Sequence, residues 1–202
     1  MHTRLLDAFA DLSDWMAVTS GQARLAITPE RGPHGQTMRL DFDFGGGGGF
    51  VVARKPFAFT LPGNFAFHLA VRAAAPPNKF EFKLVDPAGV NVWRYEDSAF
   101  GFAADWRTLC IPGNRIDFAW GPAGGGAPVD VGAIEFAVAA GPGGQGTLWI
   151  ADLRLEDRTV YAPPRLRASG SLPGHDADCA MDGRPDTCWR GGPEPGPAWL
   201  EI

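Results

Sequence analysis

At 202 residues, with 45% apolar composition and a net charge of -5, the chain is long enough for one sizeable packed domain plus part of another. Its Lys and Arg are scattered singly and form no basic stripe, which argues against nucleic acid and against an anionic membrane as partners. The 27 Gly, 18 Pro and 14 Phe, set against 4 Met and few runs of helix formers, favour short strands joined by turns and hence an all-β fold.

The opening residues lack the apolar run and small-residue cleavage site of a secretory signal, and no later stretch approaches the ~20 apolar residues that span a bilayer. Residues 4–15 carry a weak helical pattern, which Ser13 and Asp14 interrupt. Strands are predicted over residues 23–28, 37–44, 50–53, 65–72, 80–85, 90–95, 105–111, 116–120, 134–139 and 147–155, with turn residues between most of them. That regular spacing points to a β-sandwich rather than alternating β/α units. The five glycines from Gly45 to Gly49 lack a following Lys-Ser or Lys-Thr and a helix, so they read as a hairpin connection and not as a phosphate loop.

The segments FEFKLV (80–85) and VNVWRY (90–95), joined by Asp86-Pro87-Ala88-Gly89, alternate with a period of two. Phe80, Phe82 and Leu84 share one face, and Glu81, Lys83 and Val85 the other. In the partner segment Val90 and Val92 fit the oily side, which projects Asn91, Trp93 and Tyr95 outward. If apolar residues face the core throughout, the outward set comprises Arg39, Asp41, Asp43, His68, Arg72, Glu81, Lys83, Asn91, Trp93, Tyr95 and Glu135. Sugar rings stack C–H faces on aromatics and exchange hydrogen bonds through their hydroxyls, so Trp93 and Tyr95 flanked by Asn91, Glu81, Lys83 and His68 suit a saccharide. A solvated or internally paired charged face is the alternative.

Trp120, at a strand end before Gly121-Pro122, either stacks on a ligand at the sheet rim or covers the end of the core; Trp15, Trp106 and Trp149 are expected in the core. No nucleophile or metalloprotease motif occurs, and no spacing sets two carboxylates across a substrate, so the chain is not read as an enzyme. Of three cysteines, Cys179 and Cys188 can pair or stay free, while Cys110 reads as an apolar core residue. Composition changes at Tyr161-Ala162-Pro163-Pro164, dividing a module at residues 1–160 from a Pro-rich linker at 161–167 and a segment at 168–202 with too few apolar residues for its own core.

Phe9-Ala10-Asp11-Leu12-Ser13-Asp14-Trp15, His34-Gly35 before Met38-Arg39-Leu40, and Leu148-Trp149-Ile150-Ala151-Asp152-Leu153 resemble the opening and closing strands of galactose-binding-like jelly-roll domains, the sandwiches that serve as carbohydrate-binding modules beside bacterial glycoside hydrolases. Ala168-Ser169, Ala180-Met181-Asp182-Gly183, Asp186-Thr187-Cys188-Trp189 and Trp199-Leu200-Glu201-Ile202 resemble the start of a discoidin domain, the coagulation factor 5/8 C-terminal type. The first resemblance implies a jelly-roll β-sandwich that binds a polysaccharide or oligosaccharide without catalysis, alongside further domains of the same polypeptide; a secreted or periplasmic location would fit it. Structural spacer or docking domain is the alternative reading, and a jelly-roll lyase or hydrolase using Glu81 or Glu135 a third. The same resemblance implies structural calcium between first and last strands, with Asp152 and Asp7 or Asp11 as ligands. The discoidin resemblance implies a second calcium near Asp182, Asp186 and Thr187, makes Trp189 and Trp199 structural, and leaves 168–202 the incomplete start of a second β-sandwich.

Overall fold

The computed structural model describes residues 2–98, 100, 105–159, 166–181, 186–192 and 197–201. The chain divides into two compact units, Met1–Thr159 and Val160–Ile202. The first is a jelly-roll β-sandwich of two antiparallel sheets.

One sheet contains β1 (His2–Asp7), β3 (Arg24–Gly32), β4 (Gly35–Asp43), β6 (Phe65–Ala74), β9 (Arg107–Pro112) and β12 (Gln145–Asp157), in the order β3-β4-β12-β6-β9 with β1 also paired to β12. The other contains β2 (Met16–Thr19), β5 (Phe50–Thr60), β7 (Lys79–Val85), β8 (Val92–Asp97), β10 (Asp117–Trp120) and β11 (Asp130–Ala139), in the order β10-β8-β7-β11-β5-β2. Alternate residues of both sheets meet in one core. Phe67 of the first sheet lies 4.8 Å from Phe82 of the second, and Phe82, Phe136, Trp15 and Phe9 continue in ring contact towards the first loop. Burial of these rings with the Leu, Ile and Val side chains packed among them favours folding of the unit.

Several expectations are corrected. Residues 4–15 are not helical: β1 pairs antiparallel with β12, from His2 opposite Asp157 to Asp7 opposite Leu153. A ladder against the last long strand pairs the backbone of Thr3, Arg4 and Leu5, which a short isolated helix would leave to water. Strand β2 was not anticipated either, because its four residues are all exposed and carry no alternation of burial. Trp15 is in the core, but Trp149 is buried on the outward side of β12, stacked on Arg72, and Trp106 packs at the rim against His34, 5.2 Å between rings. Cys110 is exposed on the edge strand β9 instead of buried, and all three cysteines are free thiols.

In the second unit, β13 (Arg167–Ala168) pairs with β14 (Leu200–Glu201), and the Trp189 indole donates to Gly170 O and Ser171 Oγ, both at 3.2 Å. Linker residues 161–165 lie outside the described residues.

Candidate saccharide-binding face

The register of the hairpin β7–β8 decides which of its side chains reach the outward face. Val85 pairs with Val92, Leu84 with Trp93 and Phe82 with Tyr95. Directly opposed residues of an antiparallel pair point to the same face, so Trp93 and Tyr95 face the core with Phe82 and Leu84, and Val92 faces outward with Val85. Their expected outward placement is therefore corrected. Trp93 is 7% exposed, packs edge-on against Phe118 and donates its indole N–H to Gly126 O at 2.7 Å. Tyr95 is half-buried against the core, and loss of solvent raises its phenol pKa. Asn91 is held in the turn: its amide donates to Asp86 Oδ2 at 2.8 Å and its Oδ1 accepts the Ala123 N–H at 2.8 Å.

Glu81, Lys83 and Glu135 do project from the outward face of the second sheet, together with Trp120. His68 does not join them. It stands on the opposite side of the sandwich, on the first sheet with Arg39, Asp41 and Arg72, where its Nε2 meets Glu156 Oε2 at 2.8 Å.

On the second sheet's outward face, Glu81 is the hub of an ion-pair network. It contacts Lys83 at 2.9 Å, Arg94 at 3.1 Å and Lys79 at 3.7 Å, and Arg94 and Lys79 continue to Glu96 at 3.0 and 3.3 Å. Arg54 meets Glu135 at 2.9 Å. Burial opposes ionisation of Glu96, but hydrogen bonds from Ser98 and Lys79 and the charges of Arg94 and Lys79 outweigh it, leaving its carboxyl below the ordinary range. Glu81, Lys83 and Glu135 are buried although they face away from the core, Glu81 held by Arg94, Glu135 by Arg54, and Lys83 beside the Trp120 ring. Each of these carboxylates is thus paired within the sheet, Glu81, Glu96 and Glu135 against Lys79, Lys83, Arg94 and Arg54.

Trp120 is 48% exposed at the β10 rim, and the Lys83 ammonium sits 5.4 Å from its ring centroid. At the opposite rim β2 presents exposed Met16 and Val18, opposite Arg54 and Val52. Six strands at the usual spacing put the two rims ~24 Å apart. Beside Trp120, a cleft of about 310 Å³ is lined by Arg94, Tyr95, Glu96, Arg115 and Asp117. Sequence reasoning had not brought in Arg94, Met16 or Val18; the strand register would have placed Arg94 opposite Lys83.

The carboxylates expected to hold calcium have other partners. Asp7 is buried and accepts the Phe9 N–H, the Trp15 indole N–H and, at 2.9 Å, the Lys55 ammonium. Asp11 caps the Ser13 N–H at 2.9 Å, and Asp152 is gripped by Arg154 Nε at 2.8 Å. Among the described residues no three His, Cys, Asp or Glu side chains gather to hold a metal ion. Asp7, Asp11 and Asp152 are thus each engaged within the protein, and the cation beside Asp7 is Lys55. Asp186 and Thr187 lie in irregular backbone, and Asp182 is outside the described residues.

No family model and no curated protein matches the chain. Solved structures do. A family 11 carbohydrate-binding module of a cellulosomal cellulase from Clostridium thermocellum superposes with a TM-score of 0.62 at 16% identity, over 80% of this chain and 98% of that one. The fold is that of carbohydrate-binding modules. The family 11 module from the same organism in complex with a β-1,3-1,4-mixed-linked tetrasaccharide gives 0.61 at 17% identity, over 77% and 95%. A carbohydrate-binding module of the β-sandwich superfamily gives 0.55 at 10% identity, over 76% and 62%.

Proposed function

We propose that the sandwich is a non-catalytic carbohydrate-binding module that takes a saccharide chain across the outward face of its second sheet, with Trp120 as the stacking platform. The observation that carries this reading is the half-exposed Trp120 ring beside buried, hydrogen-bonding Lys83 and Glu81. An indole held by an ammonium on one side is pre-positioned for the C–H face of a sugar on the other. Lys83, Glu81, Arg94 and Glu135 then supply donors and acceptors to hydroxyls. The full-length likeness to modules, one of them holding a tetrasaccharide, supports the reading.

A structural spacer is the second reading. Burial of Trp93 and the internally paired charges favour it. Catalysis by Glu81 is not supported, since Lys83, Arg94 and Lys79 already engage its carboxylate oxygens.

Within the proposal, residues 168–202 are the start of a discoidin-like domain and a polysaccharide-acting domain belongs to the same polypeptide, which the module would tether to its substrate. Titration of the chain with neutral oligosaccharides, wild type against Trp120→Ala, tests the reading. Binding lost in the variant supports it; equal binding by both, or none by either, removes it.

A further inference from the structure

The outward face of the first sheet holds a second concentration of polar chemistry, on the side of the sandwich away from Trp120. Strand register sets three rows of side chains across it, each ~7 Å further along the strands. The first row is Ala26, Asp41, Thr147 and Ala74; the second is Thr28, Arg39, Trp149 and Arg72; the third includes Glu30 and Thr37.

In the middle row Trp149 lies between two guanidinium groups, Arg72 at 4.3 Å and Arg39 at 5.6 Å from its ring. The two arginines differ. Arg39 is bidentate on Asp41 and reaches Glu30 at 3.1 Å, so its charge is spent within the protein. Arg72 has no carboxylate within ion-pair distance among the described residues, although its charge acts on Glu30, and its buried Nε has no hydrogen-bond partner.

The other two buried side-chain atoms without a partner among the described residues are Trp149 Nε1 and Thr37 Oγ1, so all three lie on this one face. Trp149 is 7% exposed and Thr37 fully buried. The indole N–H draws the Glu30 carboxyl below its ordinary range, yet makes no hydrogen bond of normal length. A buried donor left without a partner costs stability, so this patch is kept at the expense of the fold.

One row along the strands from these donors, a hollow of about 540 Å³ covers the first row, where Ala26, Ala74 and Gly146 leave room and Arg24, Asp41, Asp43, Thr147 and Gln145 offer polar groups. Beyond the third row, Trp106 packs near Thr37 and against His34.

We propose that this face is a second binding site, for a saccharide carrying a carboxylate: a uronate residue whose acid group is taken by Arg72 and the Trp149 N–H while its neighbouring ring occupies the hollow. The unmatched groups, Arg72 and Trp149, are donors, which selects an acceptor, and the unpaired guanidinium selects an anionic one. The hollow beside them is of a size suited to a small organic ligand, which separates this ligand from a bare anion. What sets this face apart from the second sheet's is an arginine, Arg72, with no carboxylate in ion-pair contact among the described residues.

The test is a titration of the full chain with a galacturonate tetrasaccharide, read by the NMR signal of the Trp149 indole N–H, in wild type, Arg72→Gln and Trp120→Ala. Sodium acetate and a neutral glucan tetrasaccharide serve as controls. The expected result is a saturable shift of that signal, weakened about tenfold or more in Arg72→Gln and unchanged in Trp120→Ala. Thr37→Val, which removes an unpartnered hydroxyl without changing shape, reports whether the patch stays folded. No shift with galacturonate, an equal shift with acetate at the same carboxylate concentration, or full binding by Arg72→Gln would each overturn the proposal. Failure of the neutral-chain site shows separately, as no shift of the Trp120 indole N–H signal with the glucan in wild type.

Discussion

At the residue scale, the two tryptophans of the β8–β10 edge have opposite roles. Trp93 is packed in the core with its N–H satisfied, so Trp93→Ala should cost about 3–5 kcal/mol, read by chemical denaturation. Trp120 has half its surface in water, so Trp120→Ala should leave the melting temperature nearly unchanged while weakening saccharide binding tenfold or more. Their exchange of roles relative to the sequence reading has a simple origin. Pairing Val85 with either Val90 or Val92 makes odd-numbered residues of β8 face Phe82 and Leu84, so Trp93 and Tyr95 belong to the core in both registers. Hydrophobicity had been used to orient β8, and two valines outvoted a tryptophan; parity across the turn was the better signal. Lys55 offers a second residue-scale prediction. Removing its ammonium in Lys55→Met strands the Asp7 carboxylate at a buried position and should cost about 2 kcal/mol, since Phe9 and Trp15 still donate to it. Calcium added to wild type should leave its melting temperature unmoved, because the charge beside Asp7 is already balanced.

At the element scale, the loop closing β7 onto β8 also sets the angle of β10. Gly121, which follows Trp120, has a φ of 135°, and a Cβ there would lie 2.5 Å from Asn91 Oδ1 and 2.6 Å from Val90 O. Gly121→Ala should therefore destabilise by about 1–3 kcal/mol and, by displacing Trp120, weaken saccharide binding in proportion. Both effects are read in one titration and one melt of the variant. Most strands were legible from alternation bounded by Gly and Pro; β4, β6, β7 and β11 bury every second side chain or more. Strands β1 and β2 were not, for a physical reason. Their stability comes from pairing with β12 and β5, distant partners that leave no local pattern.

At the scale of the whole molecule, the charged groups stabilise the sandwich only while its carboxylates stay ionised. Hydrogen bonds from His68 hold Glu156 below the ordinary carboxylate range, and backbone N–H groups at Asn91 do the same for Asp86. A carboxyl whose folded pKa is depressed adds stability that is full above its unfolded pKa and is lost as pH falls through the folded value. Melting temperature should thus be flat near neutrality and decline once pH drops below about 4. The candidate site was partly legible: Glu81, Lys83 and Trp120 were named from sequence and lie on one face, but His68 was grouped with them because nothing in a single sequence says which sheet a strand joins.

The most direct test of the account is calorimetric titration of the chain with a panel of neutral oligosaccharides that includes the β-1,3-1,4-mixed-linked tetrasaccharide, run in parallel on Trp120→Ala. The account predicts saturable binding to at least one member, lost in a variant that melts with the wild type. Absence of binding across the panel, or binding that survives in Trp120→Ala, would contradict it and leave the sandwich as a spacer.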